Sequence, residues 1–143
     1  MRKLIYLAVL IVLVYASAQR IDFGATSESS TTSLPESISA AYRERLSNVQ
    51  VSGAGEVVRV LADDTRGSRH QRFILQLDGK TTLLIAHNID LAPRIKDIAV
   101  GDRIEFSGEY EWNDKGGVLH WTHHDPRGVH DGGWLKHNGR TYQ

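Results

Sequence analysis

The sequence predicts a mostly-β domain: an OB-like barrel of five strands behind one short helix. Three observations carry that expectation. From Val49 onward the apolar residues recur with a period of two, the spacing of a strand. Asp78-Gly79 and the run 113–117, Asn-Asp-Lys-Gly-Gly, are tight-turn signals that divide the stretch into hairpins. The longest connection falls between the third and fourth expected strands, and strand, hairpin, gap, hairpin is the OB order. A small β-sandwich is the alternative, but that fold generally wants about seven strands.

The elements follow in chain order. Residues 1–18 read as a signal peptide. Arg2 and Lys3 form the basic start, 4–15 an apolar run, and Ala16-Ser17-Ala18 a small-residue cleavage site before Gln19. The run is short for a membrane-spanning helix, which needs roughly 20 residues, so cleavage and a periplasmic or secreted product are expected, with an uncleaved anchor as the alternative. No stable membrane insertion is expected after cleavage. Residues 19–33 are a polar, Ser/Thr-rich linker with little to bury. Ser33-Leu34-Pro35-Glu36 carries helix-start signals, and Ile38, Ala41 and Tyr42 lie at helical spacing, so a helix is expected over 35–47. The OB-like domain is expected to fill 34–143. Its strands centre on 57–62, 72–77, 81–86, 103–112 and 118–122, with 88–99 irregular.

Composition narrows the partners. The chain has no Cys, which removes thiol chemistry, disulfides and Cys-ligated metal. Lys+Arg and Asp+Glu are 17 each; without Arg2 and Lys3 the balance is 15 against 17, a net charge of −2 with His neutral. Non-specific nucleic-acid binding normally rests on a basic excess that displaces counterions. Nucleic acid is therefore possible but not favoured.

The chain is histidine-rich where it is least apolar. Five of its seven His, namely His120, His123, His124, His130 and His137, follow Leu119. His with Asp or Glu is the donor set of zinc and non-haem iron, and also of acid–base catalysis. Spacing limits the first use. On a strand, residues three apart face opposite ways, and His120 and His124 would stand roughly 13 Å apart. A divalent transition metal would need ligands from several elements, with His87, His120, His123, His124 and Asp125 as the candidate set. Hydrogen-bonded surface histidines are the alternative reading.

A four-residue turn over 113–116 yields the consistent strand register. It sets Tyr110 opposite Leu119, Glu109 opposite His120, Gly108 opposite Trp121 and Glu105 opposite His124. One face is then apolar and the other lined with Glu–His pairs. In the second strand, Arg69, His70 and Arg72 sit where OB folds often meet ligands, and arginines suit phosphate or carboxylate. His87, Asn88 and Asp90 close the third strand nearby. The alternative is an edge whose charges discourage aggregation.

Several runs together, 69–73, 87–94, 108–113 and 117–126, with Gly133-Trp134 and Tyr142, resemble a bacterial family of small exported proteins catalogued as a domain of unknown function. The resemblance covers about residues 53–143 and implies no activity. Gly55-Glu56-Val57 and 101–104 are more loosely similar to exported OB-fold proteins, a likeness of fold alone. Two functions follow as expectations. The first is an exported OB-fold binding module for a polar or anionic ligand, using Arg69, His70, Arg72, His87, Asn88 and Asp90. The second is a metal-dependent hydrolase of phosphoesterase or nuclease type, with Glu109 or Glu111 as base toward a metal-bound water.

Overall fold

The computed structural model describes residues 34–143. The expected signal peptide, linker and Ser33 cap lie outside these residues. Helix α1 spans Leu34–Arg43. Seven strands follow: β1 Val49–Val60, β2 His70–Gln76, β3 Thr82–Asn88, β4 Arg103–Glu111, β5 Val118–His120, β6 Trp134–His137 and β7 Arg140–Tyr142.

The helix buries Ile38 and Ala41 and ends four residues earlier than expected. The Leu46 N–H bonds the Ala41 carbonyl at 2.9 Å and the Arg45 N–H that of Tyr42 at 3.2 Å. This is a Schellman stop. The left-handed position is held by Arg45, φ 55°, and not by glycine, so no breaker in the sequence marks it.

Strands β1 to β5 close into the expected barrel. The hydrogen-bonded order is β1-β2-β3-β5-β4, and β4 pairs back onto β1. The β3–β5 pairing is parallel and the other pairings of the barrel are antiparallel. One long strand serves two neighbours: residues 49–56 of β1 pair with β4, and 56–60 pair with β2. A register shift between Val57 and Arg59 marks the change, since a bulge bends a strand and increases its twist. Inside lie Val51, Val57, Phe73, Leu75, Leu83, Ile85, Ile104, Phe106, Tyr110 and Leu119. Burial alternates along β2 and β3, the two-residue period that predicted them.

Connection 89–102 seals the barrel with a fully buried Ile95. Buried Gln71 holds it: its Nε2 donates to the Ile95 carbonyl at 2.8 Å, and its Oε1 accepts the Ile95 N–H at 3.0 Å. Both polar ends of the amide are thereby satisfied inside the core.

The expected register of β4 and β5 is present for Glu109–His120 and Tyr110–Leu119. It does not extend further. β5 stops at His120, and Trp121 takes a left-handed conformation, φ 51°. The Trp121 ring therefore does not lie over Gly108; a side chain there would meet the His120 carbonyl, Leu119 and Thr122. Nor does Glu105 face His124. Its partner is Lys136 of β6.

The hairpin β6–β7 was not expected. β6 takes over the edge of β4 at Ile104–Ser107, where β5 has left it, and Leu135 joins the core fully buried. The sandwich criterion of seven strands is thus met in number, although five of them close a barrel.

Candidate functional site

The outward residues of three neighbouring strands form the floor of one cleft: His70 of β2, Ala86 and Asn88 of β3, and His120 of β5. Loop residues Ser68 and Leu91 and the pair Trp121 and His123 enclose it to about 350 Å³. The left-handed Trp121 explains why this cleft gathers three imidazoles. In an extended strand, residues 120 and 121 point to opposite faces, as do 120 and 123. The reversal at Trp121 breaks that alternation, so His120, Trp121 and His123 all reach the same side. A bulky residue at positive φ is uncommon and is held only by its surroundings. Here the Trp121 ring stacks on His130 at 3.9 Å between centroids and lies 5.3 Å from the His123 ring.

Each imidazole is oriented by one protein acceptor. His70 Nδ1–H donates to the Ser68 carbonyl at 2.8 Å, and His123 Nδ1–H to the His124 carbonyl at 2.6 Å. A carbonyl only accepts, which fixes the proton on Nδ1 in both rings. His120 Nε2–H donates to Glu111 at 3.1 Å. Among the described residues the second nitrogen of each ring has no protein partner, so it is free to accept a hydrogen bond from a ligand.

The two candidate bases each stand beside a histidine, and only Glu111 is hydrogen-bonded to one. Glu111 holds His120. Glu109 faces His120 in backbone register, but its carboxylate stands 3.7 Å from His130. His130 belongs to the loop between β5 and β6, so the strand register does not name this partner.

The expected metal set is dispersed. His87 is fully buried and uses both ring nitrogens. Its Nε2–H donates to the Pro93 carbonyl at 3.1 Å, and the Thr122 hydroxyl meets Nδ1 at 2.8 Å. Burial lowers its pKa to about 4, since an apolar surrounding disfavours the cation. Asp125 builds its own loop by accepting the backbone N–H groups of Arg127, Val129 and His130. The Arg127 amide first, then that of His130, hold its pKa down to about 2. His124 is exposed. Among the described residues no three His, Cys, Asp or Glu stand close enough to hold an ion.

The expected arginines are also engaged. Arg69 pairs with Asp90, backbone N–H and Nε–H each donating at 2.7 Å. That arrangement lowers the Asp90 pKa, the backbone bond most. Arg72 donates Nε–H and an Nη2–H to the Ala62 carbonyl. Neither lines the cleft; of the expected ligand residues, His70 and Asn88 do.

The family model described as "Protein of unknown function (DUF3465)" matches residues 23–143. The chain belongs to the DUF3465 family. The match agrees with the family likeness read from the sequence and adds no activity to it. A search of the curated proteins found no match. For this DUF3465 domain the chemistry therefore rests on its own geometry. Sequence reasoning missed Ser68, Leu91 and Trp121 as cleft residues, because Trp121 reads as a core residue until its backbone is seen to turn. A second cleft, lined by Arg94, Lys96, Arg140 and Tyr142, was missed as well. No local motif joins residues 94–96 to 140–142; the hairpin brings them together.

Proposed function

We propose that the domain is an exported binding module that recognises a small polar ligand carrying hydrogen-bond donors in the three-histidine cleft. One observation carries the reading: His70, His120 and His123 line a single cleft, and each has one nitrogen tied to the protein and the other free. Imidazoles oriented in this way meet a ligand at little conformational cost. Leu91 and the Trp121 ring supply apolar wall, and Ser68 and Asn88 add neutral polar groups. A few placed polar groups on an apolar surface is the composition of a small-molecule site. Export rests on the signal-like residues 2–18, and recovery outside the cytoplasm of a protein beginning at Gln19 checks it.

The site is tested by thermal-shift screening of polar metabolites carrying hydrogen-bond donors, with the wild type beside His70→Ala and His120→Ala. A ligand bound only by the folded state raises the melting temperature with its concentration. The expected result is at least one saturable stabiliser whose effect falls in both variants. A screen without a stabiliser, or stabilisers indifferent to both substitutions, overturns the reading.

A further inference from the structure

We infer that the domain carries a second ligand site, for a small organic anion, between connection 89–102 and the β6–β7 hairpin. The cleft there measures about 520 Å³ and shares no lining residue with the histidine cleft. Its charge is one-sided. Arg94, Lys96 and Arg140 face one carboxylate, Asp97. Arg94 is paired with Asp63. Among the described residues Lys96 and Arg140 have no ion-pair partner and are exposed. Two unpaired cations against one unpaired carboxylate, Asp97, leave a positive excess in one concave site, which attracts an anion whatever the net charge of the chain.

The geometry selects further. The Arg140 guanidinium lies 5.2 Å over the Tyr142 ring. The ring attracts the cation, and the planar fork of N–H donors suits a carboxylate or phosphate. Tyr142 and Pro93 give the cleft an apolar side. The fitting ligand carries an anionic group on an apolar or aromatic body.

Hydrogen bonds fix both walls. Gln71 clamps Ile95, and buried His87 holds the Pro93 carbonyl. Opposite, β6 is paired to β4, and buried His137 bonds Asp102 through Nε2 at 2.9 Å. Fixed walls limit the backbone ordering that binding would require.

Isothermal titration at constant ionic strength with phenyl phosphate, benzoate and benzyl alcohol tests the site on the whole protein. At least one of the two anions should bind saturably with one-to-one stoichiometry, and which one binds separates phosphate from carboxylate recognition. Benzyl alcohol should bind about tenfold more weakly or not at all, and Lys96→Gln/Arg140→Gln should weaken the anion about tenfold, the scale of a lost charge-assisted contact. Both substitutions are on exposed side chains, so the fold should persist and circular dichroism checks it. His70→Ala and His120→Ala should leave this binding unchanged, which separates the site from the histidine cleft. Absence of anion binding, equal binding of benzyl alcohol, or binding untouched by the double substitution overturns the inference.

Discussion

His87 shows how one buried polar side chain links the core to the surface. Its ring joins the Pro93 carbonyl on one side to the Thr122 hydroxyl on the other. Thr122 lies between Trp121 and His123 of the histidine cleft, and Pro93 lines the cationic one. The ring is neutral in the folded state, with its pKa lowered to about 4 from an ordinary 6.5. Above pH 6.5 neither the folded nor the unfolded chain protonates it, and its contribution is complete. As the pH falls from 6.5 to 4, the unfolded chain takes up a proton that the fold excludes, and stability is lost. The loss approaches roughly 3 kcal/mol at the acid end. Urea denaturation at pH 7.5 and pH 4.5 should therefore show a larger drop in the wild type than in His87→Gln, because other titrating groups are common to both. Equal drops would mean that His87 is not held neutral by burial.

The elements differ in how openly the sequence declares them. The strands of the barrel are legible because each has one buried face, and a slip by one residue would turn that face outward. The Tyr110–Leu119 register was legible for the same reason. The end of β5 was not. Nothing in the residues 118–122 announces a left-handed tryptophan, and the expected Glu105–His124 pairing failed from that point on. The hairpin β6–β7 was hidden differently. Trp134 and Leu135 are ordinary strand formers, but their pairing needs a free edge on β4, which exists only because β5 ends early. Gly108 marks the exchange between the two strands. A Cβ there would meet the His120 carbonyl, with Leu119 and Thr122 close behind. Gly108→Val should thus destabilise by about 1–3 kcal/mol through overpacking against backbone, measured as a lower urea midpoint at unchanged slope. A variant as stable as the wild type would show that the chain does not cross there.

At the scale of the whole molecule, the barrel acts as a frame that fixes two clefts. The closed sheet gives β2, β3 and β5 a common outer face, and the left-handed turn after β5 completes it with Trp121 and His123. No helix among the described residues is long and apolar enough to cross a membrane. The central claim is that the unbonded imidazole nitrogens of His70, His120 and His123 form one ligand site. Histidine side-chain nitrogen NMR tests it most directly, recorded free and then with the strongest stabiliser from the thermal screen. In the free protein, His70 and His123 should be protonated on Nδ1 and His120 on Nε2. On titration, the resonances of Nε2 in His70 and His123 and of Nδ1 in His120 should move together with one saturation curve, while both His87 nitrogens stay within the core pattern. Opposite tautomers in the free protein, or titration shifts that bypass all three rings, would contradict the account.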